Sequence, residues 1–338
     1  TGNSGCLNES PGPDLRVLLI KTYSMGDVIH TLPALTDARA AIPDLQVDWV
    51  VEDSFADLAR RHPAVHTVIP CALRRWRKHP IKARRSGEWA AFKSAVQSTS
   101  YDAVIDAQGL LKSAFITRLS RGPKFGLDKH SAREGLSARV LDHPLPVARG
   151  QHAIKRVRQL FSQVLGYTLP DAAPDYGLPR EHVPTPLSEP AELVFCHGTT
   201  WPTKHYPEAF WRQLLELACS DGHRVHLPWG NDEEKARAER LAAGLERVCV
   251  LPKMGLDALT DKLLSWDAFI AVDTGLAHLA AATGLPGVAL YGPTDPMLTG
   301  VQGLRASSLA ADFPCAPCVQ EKCTYRGELG KGVEPPCF

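Results

Sequence analysis

An acid, a hydroxyl and a glycine stand together at Asp273-Thr274-Gly275, after the apolar run Ala268 to Val272 and before a small-residue stretch that stops at Gly284. A buried strand turning into a helix presents unpaired backbone N–H groups at the helix start, which suit a phosphate or another anion. The carboxylate just before that end could grip a sugar or ribose hydroxyl. A nucleotide-linked ligand is the chemistry this spacing suggests. His278 lies one turn into the helix, where a lone histidine is more often a packed or capping residue than a catalyst. The loop Tyr291-Gly292-Pro293-Thr294-Asp295-Pro296 follows the next apolar run and would line the same cleft.

Other polar clusters also follow apolar runs. Thr199, Thr200 and Lys204, in His197-Gly198-Thr199-Thr200-Trp201-Pro202-Thr203-Lys204, suit a diphosphate, with the lysine as a point charge. The same loop also fits an ordinary helix entry capped by Thr200 or Thr203. One of the acids in Pro228-Trp229-Gly230-Asn231-Asp232-Glu233-Glu234 could contact a ribose or base, though acids in a first helical turn more commonly serve the helix dipole. Asp27, in Ser24-Met25-Gly26-Asp27, sits where reactive groups of α/β folds collect. Its spacing from Ser24 is equally that of a capping box.

Two clusters stand apart. Seven Lys or Arg fall within residues 74–85, including Arg74, Arg75 and Lys78. They suit a phosphate-rich acceptor, an anionic membrane surface or nucleic acid, or form a solvated loop. A single such patch argues little for nucleic acid, and none is expected as a partner. Cys315, Cys318, Cys323 and Cys337 have spacings that suit a structural zinc or cluster, or are simply reduced thiols.

The elements that must hold these groups are legible as alternating apolar runs and helical patterns. Strands are expected at 16–20, 47–51, 67–69 and 103–106, then at 193–196, 224–227, 248–251, 268–272 and 288–291. The reading is an α/β chain with two Rossmann-like domains facing a cleft. It divides into a disordered leader at 1–14, an N-terminal domain at 15–178, a Pro-rich linker at 179–191, a C-terminal domain at 192–305 and a Cys-rich tail at 306–338. A length of 338 residues suits two cores. The formal net charge of +1 hides an asymmetry. Residues 15–178 hold 24 Lys and Arg against 15 Asp and Glu, a surplus of nine, whereas residues 192–305 hold 10 against 14. The first domain should meet an anionic partner. No apolar run reaches the ~18 residues of a membrane span, the first residues lack a signal-peptide pattern, and a cytoplasmic protein is expected.

Taken together, RVLLIKTYSMGDVIHTLPALTDA, the RRWRK patch, YDAVIDAQGLLKSA, SARE, HGTTWPTKHYPEAFWR, LPWGNDEEKARAERLA, VLPKM, VDTGLAHLAAATG and YGPTDP resemble, in order, glycosyltransferase family nine. These are the ADP-heptose:lipopolysaccharide heptosyltransferases, and the resemblance is nearest to the members that add the first heptose. It implies a GT-B fold and an inverting transfer of L-glycero-D-manno-heptose from ADP-heptose to the Kdo of Kdo–lipid A. It implies Asp27 as general base, with Lys204 and the helix start at Thr274 and Gly275 stabilising the departing ADP. Thr199, Thr200, Glu234, Met254, Asp273 and His278 would join them on the donor side. Lys21, Arg74, Arg75, Lys78, Gln108 and Arg133 would face the acceptor. The family's setting is the inner face of the inner membrane of a Gram-negative bacterium, met peripherally through the basic patch, by a monomer. No Asp-x-Asp pair occurs in the chain, so catalysis is expected to need no metal cofactor. The alternatives are a second-heptose transferase, another nucleotide-sugar transferase of the family, or a non-catalytic nucleotide-binding protein with a metal-binding tail.

Overall fold

The computed structural model describes residues 15–178 and 190–338. The leader at 1–14 and all but the last two residues of the linker at 179–191 lie outside the described residues. The chain divides into two compact units, Thr1–Leu178 and Pro179–Phe338.

The first unit is a six-stranded parallel sheet: β1 (Arg16–Ile20), β2 (Gln46–Glu52), β3 (Val65–Cys71), β4 (Ala103–Asp106), β5 (Lys124–Leu127) and β6 (His143–Leu145). Their order is β3-β2-β1-β4-β5-β6. The second unit repeats this plan with β7 (Glu192–Cys196), β8 (Arg224–Leu227), β9 (Val248–Val250), β10 (Ala268–Val272), β11 (Gly287–Tyr291) and β12 (Ala306–Ala310), ordered β12-β11-β10-β7-β8-β9. Counted within each unit, both sheets read 3-2-1-4-5-6, the doubly wound Rossmann order. The α/β reading of the sequence therefore holds for both units.

Strands covered on both faces read as continuous apolar runs. In β1, Val17, Leu18, Leu19 and Ile20 are wholly buried, as are Val47, Trp49, Val50 and Val51 in β2. Each fully buried Leu, Ile, Val or Phe contributes roughly 1.5–3 kcal/mol, so these central strands anchor the fold. Helices Leu32–Ala41 and Ala153–Leu165 are joined by a buried fork, with Arg158 Nε and Nη2 donating to Asp37 at 2.6 and 3.2 Å.

Three strands escape the sequence pattern: β5 (KFGL), β6 (HPL) and β12 (ASSLA). They are short, and two of them are the outermost strands of their sheets. Their register comes from neighbours, as with Gly287↔Ala306 through Tyr291↔Ala310. The first five residues of the expected tail at 306–338 form this edge strand of the second sheet.

Both sheets have their switch point where chain order reverses, between β1 and β4 and between β7 and β10. Ligands of open α/β sheets bind beyond the strand C-termini at that point.

Candidate functional site

In the first unit the chain leaving β1 enters the five-residue helix Met25–Ile29. The capping box forms: the Ser24 amide donates to Asp27 Oδ2 at 2.9 Å. Lys21 Nζ lies 3.1 Å from Asp27 Oδ1 and donates to the Ala107 carbonyl beyond β4 at 3.1 Å. Burial raises the Asp27 carboxyl, but the Lys21 ammonium and the Ser24 amide and hydroxyl outweigh it, so its pKa lies below the ordinary value. The Lys21 side chain is 7% exposed and that of Asp27 40%. The carboxylate is thus pinned on one side and open on the other.

Gln108 joins the two loops, with Oε1 accepting from the Thr22 and Tyr23 amides at 3.0 and 3.3 Å. Asp106 fixes the loop that carries Gln108. Its buried carboxylate accepts from the Gln108 and Gly109 amides at 2.9 and 3.0 Å and from Ser113 Oγ at 2.9 Å. Burial, as the larger influence, pushes its pKa up against these bonds. Lys21, Asp27, Gln108 and Arg133 line one cavity of about 130 Å³, together with His30 and Arg156. Asp106, His30 and Arg156 carry no mark in the sequence analysis. The available signals were an acid closing an apolar strand and a histidine three residues beyond Asp27.

The remaining acceptor candidates do not line that cavity. Arg74 lies over the Tyr23 ring, 5.2 Å from its centroid. Arg75 pairs with Asp53 at 3.0 Å and Glu88 at 2.9 Å. Lys78 borders a separate groove with Ile81, Lys82 and Arg85.

In the second unit Lys204 Nζ lies 2.8 Å from Asp273 Oδ2. That same oxygen accepts from Thr294 Oγ1 at 2.6 Å, while Thr199 Oγ1 donates to the Asp273 carbonyl at 2.9 Å. Three loops, beyond β7, β10 and β11, thereby converge on one carboxylate. Lys204 also lies over the Trp201 ring at 4.7 Å. Thr274 is the N-cap of helix Gly275–Ala282 and makes no side-chain cap bond, which leaves the helix end to backbone and ligand. His278 is buried on that helix.

Thr199, Thr200 and Glu234 line a pocket of about 430 Å³ with Asn231, Glu233, Arg237, His205 and Glu334. Asn231 caps helix Asp232–Ala242 by accepting from the Glu234 amide at 2.9 Å. The Glu234 carboxylate turns back to accept from the Gly230 amide at 2.7 Å. A Cβ at position 198 would come within 2.7 Å of that carboxyl, so a glycine there admits the close approach. Met254 is not among the residues lining this pocket.

The expected metal site at Cys315, Cys318, Cys323 and Cys337 is not supported, since no metal-competent group of three or more His, Cys, Asp or Glu occurs among the described residues. The four are half-buried free thiols. Burial first, then the nearby Cys315, Cys318 and Cys323, pushes Cys337 up to about 11.

The sequence profile of glycosyltransferase family 9 (heptosyltransferase) matches residues 89–328. Lipopolysaccharide heptosyltransferase 1 of Pseudomonas aeruginosa is 54% identical over 313 residues, covering 92% of this chain and 88% of the relative. The solved structure of E. coli heptosyltransferase WaaC with ADP superposes with TM-score 0.82 at 48% identity, covering 88% of this chain and 93% of that one. The same enzyme with ADP-2-deoxy-2-fluoro heptose gives TM-score 0.79 at 47% identity over the same shares. With two Rossmann-type units and this likeness along most of its length, the chain belongs to glycosyltransferase family 9, the heptosyltransferases, and has their GT-B fold.

Proposed function

We propose that this glycosyltransferase moves L-glycero-D-manno-heptose from ADP-heptose to the Kdo of Kdo–lipid A, with inversion and without a metal. The observation that carries the reading is the pair of switch-point sites in a heptosyltransferase chain: an ionised, half-open carboxylate in one unit and a buried lysine–carboxylate pair in the other. Similarity to a heptosyltransferase 1 and to a structure holding a fluorinated ADP-heptose supports the donor and acceptor.

In the proposed reaction the acceptor hydroxyl oxygen attacks the anomeric carbon as the bond to the ADP oxygen breaks. Asp27 takes the hydroxyl proton. Its Oδ1 is held by Lys21 and its Oδ2 by Ser24, but each carboxylate oxygen has a further lone pair. The depressed pKa keeps it ionised through neutral pH, and its open face admits the acceptor. Charge grows on the diphosphate as the sugar becomes cationic, and fixed positive groups stabilise it most when they need no rearrangement. Lys204 and the start of helix Gly275–Ala282 are such groups, with Thr199 and Thr200 beside them. Asp273 both aligns Lys204 and offers an oxygen to a heptose hydroxyl, while Glu234 takes the ribose. His278 and Met254 act behind this shell.

The first unit would receive the acceptor, whose carboxylates and phosphates match its surplus of nine positive charges. Lys21, Gln108 and Arg133 act near Asp27. Arg74, Arg75 and Lys78 act further out, where the basic helices Leu73–Lys78 and Pro80–Arg85 meet lipid phosphates at the membrane surface. No helix among the described residues is long and apolar enough to cross a membrane, so the contact proposed is peripheral.

The deciding experiment is ADP release from ADP-heptose with Kdo–lipid A and, separately, with heptosyl–Kdo–lipid A, each with and without EDTA. Turnover on the first acceptor, unaffected by EDTA, is expected. Turnover only on the second would replace this reading with that of a second-heptose transferase.

A further inference from the structure

The Cys-rich segment beyond β12 has no part in the mechanism above, yet it is seated on the loops that form the donor pocket. Thr203 Oγ1, one residue from Lys204, donates to the Gln320 carbonyl at 2.6 Å. The Val319 amide donates to the Pro293 carbonyl at 2.7 Å, next to the Thr294 that holds Asp273. Val319 makes that bond from φ 51°, a left-handed conformation that a β-branched residue adopts only when its surroundings hold it there. At the far end Phe338 packs edge-on against Tyr206, with centroids 5.5 Å apart. A Cβ on Gly292 would stand 2.8 Å from the Phe338 ring and 3.0 Å from Cys337 Sγ, so this glycine is what lets the segment seat. Between these anchors Glu334 reaches the pocket that Thr199, Thr200 and Glu234 line.

The segment therefore joins the loop beyond β7, which carries Lys204, to the loop beyond β11, which carries Thr294. These two loops converge on Asp273. Neither anchor uses a side chain assigned to the donor. Of the carboxylates around the pocket, Glu208 is paired with Arg240 at 2.6 Å, Glu234 is held by Gly230, and Glu233 stands in the first turn of helix Asp232–Ala242, where an acid serves the helix dipole. Glu334 makes no hydrogen bond or ion pair among the described residues and is exposed to the pocket.

We propose that residues 313–338 are a clasp that positions the donor loops, and that Glu334 is a donor-binding residue accepting a hydroxyl of the bound nucleoside. The proposal rests on the reading of the second unit as the donor unit. Thr203 and Gly292 are then positioning residues, acting on the donor through Lys204 and through Asp273 with Thr294.

The test is ADP binding by titration calorimetry, with thermal melting and steady-state kinetics on the same samples. Thr203→Val removes one anchor at nearly constant volume, and Gly292→Ala unseats the other. Each should weaken ADP about three- to tenfold, the worth of one or two hydrogen bonds. The KM for ADP-heptose should rise with it, and kcat should fall by less than in a Lys204 variant. Glu334→Ala, on an exposed position, should weaken ADP by a similar factor without moving the melting temperature. A fall in melting temperature with unchanged ADP affinity in both anchor variants would make the segment merely structural and overturn the clasp. Unchanged affinity in Glu334→Ala would remove that contact. If Gly292→Ala does not fold, Thr203→Val still decides. Wild-type protein that bound no ADP would break the donor reading itself, a result distinct from variants that match a binding wild type.

Discussion

The two units share one topology and place a lysine–aspartate pair at the same point of the sheet, yet the pairs are built oppositely. Lys21 and Asp27 come from a single loop, six residues apart, and the aspartate side chain is 40% exposed. Lys204 and Asp273 come from two loops, and that aspartate side chain is 8% exposed and further bound by Thr294. An open carboxylate held only from behind can accept a proton from an incoming molecule. A buried one, neutralised by a lysine and capped by a hydroxyl, is fixed geometry. The difference in exposure, more than any difference in residue type, is what the proposal of a base in the first unit and a leaving-group site in the second rests on.

Removing one charged group from each pair separates these roles most sharply. Asp27→Ala should lower kcat by ~100-fold or more, the usual cost of losing a general base, and leave ADP affinity unchanged in a calorimetric titration. Equal losses in kcat and ADP binding would erase the distinction between the units. Lys204→Met should cost roughly 10²–10³ in kcat, in line with loss of one preorganised charge at a transition state, and should also weaken ADP. Wild-type kcat in that variant would sink the leaving-group assignment.

The fork between Arg158 and Asp37 provides a control that touches neither site. Asp37→Ala leaves the buried Arg158 guanidinium without its counter-ion, held only by the Ala172 and Pro170 carbonyls, and should destabilise by roughly 3–5 kcal/mol, read from denaturant midpoints, with kcat of the folded fraction unchanged. A smaller step sharpens the second site. Thr294→Val takes one donor from Asp273 and should cost about 1–3 kcal/mol in stability or donor affinity, read as a shift in ADP dissociation constant or melting temperature.

The pH profile tests the first pair in the finest detail. A carboxyl with a depressed pKa stays ionised to lower pH, so turnover should persist on the acid side and fall only as pH drops through that lowered value. The stabilisation from the Lys21 pair follows the same window: present above the unfolded carboxyl value, lost as pH falls through the folded one. Lys21→Met removes the attraction and leaves burial, which raises the pKa. The acid limb of the kcat/KM profile should therefore move to higher pH. A limb that stayed in place would show that Lys21 does not set the charge of Asp27.

The fold class was legible because central strands buried on both faces must be apolar throughout. The apolar runs at 16–20, 103–106, 224–227 and 268–272 match β1, β4, β8 and β10 to the residue. β5, β6 and β12 were not legible, since strands near the edge of a parallel sheet draw their pairing from a neighbour and need no apolar run of their own. Asp27 shows a subtler limit. The capping-box and site readings competed in the sequence, and the structure forms the capping box while leaving the same carboxylate open to a cavity.

The sequence by itself determined two α/β units and the residue types at each strand end, because strand periodicity and turn chemistry are local, and its ordered motifs carried the likeness to the family. Tertiary structure alone decided that Lys204 meets Asp273, that Gln108 ties the Asp27 loop to the loop beyond β4 and that residues beyond 312 rest on the loops carrying Thr203 and Pro293. Those contacts join segments far apart in the chain, which only the pairing of β1 with β4 and of β7 with β10 brings within hydrogen-bond reach.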